Sequence, residues 1–149
     1  MEKVQCTRPL KAGSPLTDVH TPARRSHNMS MIRGTNSGPE VLLRKALWRL
    51  GFRYRLTVRL PGRPDLVFPK FGAVLFIDGC FWHGCPKHLV WPKHNASFWK
   101  KKILGNKSRD AKITRVLRRD GWNVIRVWEH EIRRDLNRCA LRVERKLRS

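Results

Sequence analysis

The stretch Leu60-Pro-Gly-Arg-Pro-Asp65-Leu-Val-Phe68 is followed shortly by Val74-Leu-Phe-Ile-Asp78-Gly-Cys80-Phe-Trp-His83-Gly-Cys85. Asp65 to Phe68 and Ala73 to Ile77 are short apolar runs with turn residues between them, which predicts a hairpin entering a core. The pairing would bring Asp65, at one strand's start, and Asp78, just past the next strand's end, to the same side of a sheet. A loop rich in thiols and aromatics follows at once. The chain has 11 acidic residues against 33 basic ones, so acids placed at strand ends beside Cys and His stand out as candidate site residues. Their placement suggests a divalent-metal site acting on nucleic acid.

Working outward, the 149 residues fit one domain with a real core, and a hydrophobic fraction of 40% with six Trp and six Phe argues for a folded chain. The net charge of +22 attracts polyanions, and phosphate neutralisation is the usual use of so many Lys and Arg. Charge alone leaves a purely architectural basic protein equally open. No apolar stretch approaches the roughly 18 to 20 residues that span a bilayer, and the N-terminus lacks a secretory apolar region. The expectation is a cytoplasmic protein whose cysteines, Cys6, Cys80, Cys85 and Cys139, bind metal or lie buried rather than form disulfides.

Residues 1 to 24 show no periodicity and read as a flexible basic arm, with residues 25 to 149 forming the domain. A short helix is expected around Arg25 to Arg33. Ser37-Gly-Pro-Glu40 opens a longer helix with apolar positions Val41, Leu42, Leu43, Ala46, Leu47 and Leu50, stopped by Gly51. Phe52, Tyr54, Leu56 and Val58 alternate with basic residues and predict a strand. Beyond the hairpin, Gly79 to Asn95 reads as a structured loop. Ser97 is expected to cap a long basic helix reaching about Asp120, with Gly105 as a break. Trp122 to Trp128 reads as a strand and Glu131 to Leu147 as a final helix. The predicted order is α-β-β-β-α-β-α.

Phosphodiester hydrolysis needs charge neutralisation and an activated water, and Mg²⁺ held by carboxylates such as Asp65 and Asp78 supplies both. Glu40 could join them or orient a metal-bound water. Cys80 and Cys85, with His88 just beyond and His130 directly after a predicted strand, make a complete Zn²⁺ shell with no open position, hence a structural site. His94 is an alternative to His88, and Cys139 to His130. Phe81, Trp82 and Trp99 lie beside Lys100, Lys101 and Lys102 and could wedge between bases; their spacing alone favours packing around the zinc. His83 is a candidate general base, with a bystander or zinc-ligand role open.

Arg25-Ser-His-Asn-Met29, the 60–65 and 76–83 strings, Phe98-Trp99, Asn106, Arg109-Asp110 and Gly121 to Glu129 together resemble the very-short-patch-repair (Vsr-type) DNA mismatch endonucleases over roughly residues 25 to 132. The resemblance implies an α/β, restriction-endonuclease-like core, a mixed central sheet flanked by helices, with a structural zinc. It implies a Mg²⁺-dependent nick on the 5′ side of the thymine in a T:G mismatch left by deaminated 5-methylcytosine. By motif position, Asp65 would be the principal Mg²⁺ ligand and His83 the general base, with Asp78, Glu40 and Asp110 supporting them. Phe81, Trp82 and Trp99 would be the intercalating wedge, and Met29 would lie in an arm closing over the DNA. Mismatch-repair proteins such as MutL are implied partners, and the protein would act as a nucleoid-associated bacterial monomer. Asp78 stands where some relatives carry histidine, and His130 where a cysteine can occur. The competing readings are a nuclease of this type with another substrate and a non-catalytic, zinc-stabilised DNA-binding module.

Overall fold

Ser37 and Glu40 form the capping box that starts the first long helix, Gly38–Arg49 (α1), with Pro39 in its first turn. In this computed structural model the structure describes residues 21, 23, 24, 26, 27 and 36–149. The chain divides into two units, residues 1–34 and 35–149. In the first, Ser26 and His27 are helical, within the segment expected to form a short helix. Met29, Cys6 and most of the N-terminal arm lie outside the described residues.

Within the second unit, Leu66–Phe68 (β1) and Ala73–Asp78 (β2) pair antiparallel as expected, with Leu66 opposite Leu75 and Phe68 opposite Ala73. A 3-10 turn at Pro69–Phe71 reverses the chain, and Gly72 closes it at φ 55°, where a side chain would be strained. Ala96–Arg119 (α2) then crosses over to Asn123–Trp128 (β3), which lies parallel to β2. Parallel neighbours need such a crossover, and the sheet is therefore mixed, in the order β1-β2-β3. Glu129–Arg134 (α3) and Leu136–Arg148 (α4) complete the fold.

The pleat divides the core in two. Leu66, Phe68, Ala73, Leu75, Ile125 and Val127 pack with Leu43 and Leu47 of α1, Ile132 of α3 and Val143 and Leu147 of α4. Val67, Val74, Phe76 and Val124 pack with Leu117 of α2. Helices thus flank the sheet, and β2, at its centre, is buried nearly throughout. Among the described residues, no helix is long and apolar enough to cross a membrane.

Four local expectations need correction. Residues 52–58 do not form a strand: only Arg55 bridges to Val67, through reciprocal backbone bonds of 2.8 and 2.9 Å. The partner strand β1 has three residues and Leu56 remains 44% exposed, so although Phe52 is buried and Tyr54 and Val58 pack against the core, the alternation finds no ladder along its length. Ser97 does not cap α2. Asn95 occupies that position in a left-handed conformation and Ser97 is already helical. The helix also runs through Gly105, whose cost of about 1 kcal/mol relative to Ala is outweighed by anchors on both sides, Ile103 and Leu117 being buried. The final helix is two helices. Asp135 adopts extended backbone and caps α4 by accepting a bond from Arg138 N at 3.0 Å, which competes with helical continuation. The junction is clamped by Glu131, whose two carboxylate oxygens accept from Arg142 at 2.7 Å each; that pairing outweighs the opposing effect of burial and holds the Glu131 carboxyl down to about 2.

Candidate nuclease site and metal centre

Parallel register explains why residues fifty positions apart meet. Asp78 pairs with Trp128 at the C-terminal ends of β2 and β3. Cys80 and His130 each lie two residues beyond that pair, and Cys80 Sγ is 3.1 Å from His130 Nδ1. Cys85 Sγ lies 3.7 Å from both His88 Nδ1 and His130 Nδ1. The ligand atoms of Cys80, Cys85, His88 and His130 all fall within 4.8 Å of one another, a possible metal-binding group. Tetrahedral zinc with S and N ligands places such atoms ~3.6 Å apart, so the donor set and spacing fit that ion. His94 is exposed and stands outside the group. Cys139 is packed in the core, where burial pushes its thiol up to about 11. Burial also raises the Cys80 thiol and lowers His130, which favours the neutral imidazole that a metal takes.

The loop carrying this group has no regular structure. Tight backbone bonds hold it instead: His83 N to Gly79 O, Cys85 N to Cys80 O and Leu89 N to Cys85 O, at 2.8 to 3.1 Å. Gly84 sits at φ 63° against α2, where an added Cβ would come within 3.0 Å of Ile103 and Lys107. Asn106 of α2 donates from Nδ2 to Trp82 O at 3.0 Å. The loop is therefore fastened to α2 on one side and to the end of β3 on the other.

The same loop aims His83 at a group of carboxylates. His83 Nδ1 is 2.5 Å from Asp110 Oδ2 and 3.6 Å from Asp78 Oδ1. Asp65 precedes β1; its backbone N donates to Leu75 O, and its Oδ2 accepts from Ile77 N at 2.7 Å. Its Oδ1 has no hydrogen-bond partner among the described residues. Burial, with smaller contributions from the Glu40 and Asp78 charges, pushes the Asp65 carboxyl up to about 6 against the pull of the Ile77 bond. Glu40 is buried, bonded to Ser37 N through Oε2 and paired with Arg44 at 3.1 Å through Oε1. The structure thus gathers Asp65, Asp78, His83, Asp110 and Glu40 around one place. Asp65, Asp78 and Glu40 offer hard oxygen donors of the kind Mg²⁺ takes.

Asp78 is 6% exposed and is held by Arg126, whose NH1 lies 2.8 and 2.9 Å from its two oxygens. Arg126 was not singled out from the sequence, although the signal was there: one cation inside the apolar run Val124-Ile-Arg-Val needs a buried partner. A cavity of about 510 Å³ opens beside this pair, lined by His83, Asp110, Lys107, Arg115 and Arg118 among others.

The aromatic residues cluster beside the metal group. Phe81, Trp82 and Trp99 meet edge to face, with ring centroids 5.3 to 6.0 Å apart. Phe98 extends the cluster through Trp99 and is 56% exposed, and Lys102 Nζ lies 5.8 Å from the Phe98 ring and 5.9 Å from Trp82. Phe98 was passed over as a site residue because its spacing on α2 carries no special signal.

The sequence profile of the family described as DNA mismatch endonuclease Vsr matches residues 17–88. The chain is 44% identical over 115 residues to the type II nicking enzyme V.NaeI of Lentzea aerocolonigenes, covering 73% of this chain and 69% of that one. It is 45% identical over 121 residues to the type II nicking enzyme V.NmeAIP of Neisseria meningitidis, covering 79% and 86%. Against the DNA mismatch endonuclease Vsr of Escherichia coli K12 it is 37% identical over 134 residues, covering 89% and 80%. With the alignments to these relatives spanning most of both chains, this protein belongs to the Vsr family.

Proposed function

We propose that this protein is a DNA mismatch endonuclease that nicks duplex DNA on the 5′ side of the thymine in a T:G mismatch. The observation that carries the reading is the juxtaposition of Asp65, His83 and Asp110 beside an aromatic cluster on a strongly basic chain. Binding alone does not require carboxylates facing a phosphate; phosphodiester hydrolysis does. The family and its nicking relatives support cleavage, and the mixed sheet with flanking helices is compatible with a restriction-endonuclease-like core.

In this reading Asp65 would be the principal Mg²⁺ ligand, with Asp78 and Glu40 as further oxygen donors. The ion would neutralise charge on the scissile phosphate when bound. His83 takes a proton from the attacking water, and Asp110, at hydrogen-bond distance from Nδ1, orients the imidazole. Phe81, Trp82 and Trp99, with Phe98, insert at the mismatch, where unstacking is easier than in a matched duplex. Zn²⁺ on Cys80, Cys85, His88 and His130 holds the loop that carries both wedge and base. Met29 contributes from the arm, and MutL is a candidate partner.

The test is incubation with Mg²⁺ and duplexes differing only in a T:G or a C:G pair, with the nick mapped at nucleotide resolution. The expected result is one nick 5′ of the mismatched T, absent with Asp65→Ala while DNA binding persists. Equal cutting of both duplexes would assign a nicking enzyme of different substrate choice. No cutting, with binding retained, would leave a DNA-binding module.

A further inference from the structure

Arg126 stands in the middle of β3, opposite Phe76, with its guanidinium 4.6 Å from that ring. A cation in an otherwise apolar strand is costly unless its donors are matched. Here they reach two neighbouring elements at once. NH1 donates to both oxygens of Asp78 at the end of β2, Nε donates to Thr114 Oγ1 of α2 at 3.2 Å, and NH2 lies 3.5 Å from the Asp110 carbonyl oxygen and 3.9 Å from its Oδ1. The two carboxylates it touches are the two that face His83 Nδ1.

Ionised carboxylates only accept hydrogen bonds. An imidazole nitrogen facing two of them therefore carries the proton, and the lone pair is left on the other nitrogen. Two like charges brought to one nitrogen repel each other, and a guanidinium in contact with both offsets that repulsion. Its planar fork also sets where each carboxylate stands, which a point charge does not.

We propose that Arg126 is a positioning residue for His83: by bridging Asp78 and Asp110 it fixes the imidazole as the Nδ1–H tautomer, with Nε2 presented as the basic nitrogen. The catalytic consequence rests on the reading of His83 as the general base; the tautomer and its dependence on Arg126 do not. Asp78 then acts through His83, which accounts for its burial and for the engagement of both its oxygens by a cation.

The experiment uses the full-length protein with ¹⁵N-labelled histidine. Long-range ¹H–¹⁵N spectra of wild type, Arg126→Gln and Arg126→Lys are recorded, with His83 assigned by His83→Gln, and single-turnover nicking and duplex affinity are measured alongside. The wild type is expected to show His83 as the Nδ1–H form, and Arg126→Gln a mixture of tautomers. The Arg126→Gln nicking rate at saturating enzyme should fall about 100-fold, as for a misplaced catalytic group, with duplex Kd changed less than about threefold. Arg126→Lys should retain the Nδ1–H form and recover at least about tenfold of the rate. An Nε2–H tautomer in the wild type overturns the proposal without any variant. So does an unchanged His83 spectrum in Arg126→Gln, or a loss of affinity that matches the loss of rate. Should Arg126→Gln fail to fold, the wild type and Arg126→Lys spectra still decide it. A wild type that does not nick the T:G duplex refutes the functional reading, and the tautomer remains decided by the spectra.

Discussion

Cys80 Sγ and His130 Nδ1 lie 3.1 Å apart although fifty residues separate them, because each stands two positions past a strand pair closed by Asp78 and Trp128. The metal group therefore ties a loop without regular structure to the far end of a crossover. About one zinc per purified chain is expected. Cys85→Ala should remove most of it and lower Tm by more than about 10 °C, whereas His94→Ala should change neither. Metal analysis and thermal melting of the three proteins check this, and full zinc in Cys85→Ala would refute the ligand set.

Asp65 gives a pH-dependent signature in the metal-free protein. Its folded-state value of about 6 exceeds its ordinary carboxylate value, so the folded chain binds more protons than the unfolded chain between roughly pH 4 and 6. Stability from this group accordingly falls as pH rises through that window and stays lower above it. Asp65→Asn should melt a few degrees above wild type at pH 7.5, an effect of ~1 kcal/mol, and match it near pH 4. Added Mg²⁺ should stabilise the wild type only. Equal melting curves at both pH values would contradict the burial that raises the Asp65 carboxyl.

The edge-to-face cluster of Phe81, Trp82 and Trp99 is half-buried, and Phe98 is more exposed. Stacking on a base is worth about 1–3 kcal/mol. Trp82→Ala should therefore weaken binding to a T:G duplex about 10- to 100-fold and to a matched duplex much less, as read by fluorescence anisotropy at fixed salt. A uniform loss on both duplexes would assign the cluster to packing instead.

Gly62 turns the chain into β1 at φ 75°, and a Cβ there would meet Ile113 Cγ2 of α2 at 2.6 Å. Gly62→Ala combines backbone strain with a clash and should cost about 2 kcal/mol, lowering Tm by about 4–8 °C. Because Asp65 follows three residues later, nicking should fall further than stability alone accounts for. A variant with unchanged melting and rate would show that the turn relaxes freely.

The hairpin, the capped first helix and the cluster of Cys and His were legible because each has a local signature: apolar runs around a turn, a capping box, thiols and imidazoles in and beside a loop. The strand expected at Phe52–Val58 was not, since its alternation depends on how far a partner extends, and β1 supplies three residues. Asp135 illustrates the same limit, because a capping aspartate inside a helical pattern competes with continuation and only tertiary packing decides the outcome. In the candidate site, Asp65, Asp78 and His83 stand close together in sequence. Arg126 reaches them only through the parallel register, and nothing local assigns an arginine on β3 to an aspartate forty-eight residues earlier.

Helix α2 carries Trp99, Asn106 and Asp110 at intervals close to whole turns, so all three present the same side. Eleven residues at about 1.5 Å each place the wedge and the partner of His83 roughly 16 Å apart on one rigid rod. Phe81 and Trp82 directly precede His83 in the loop, so in the proposed reading this rod braces wedge and base together along one face rather than setting a distance between them.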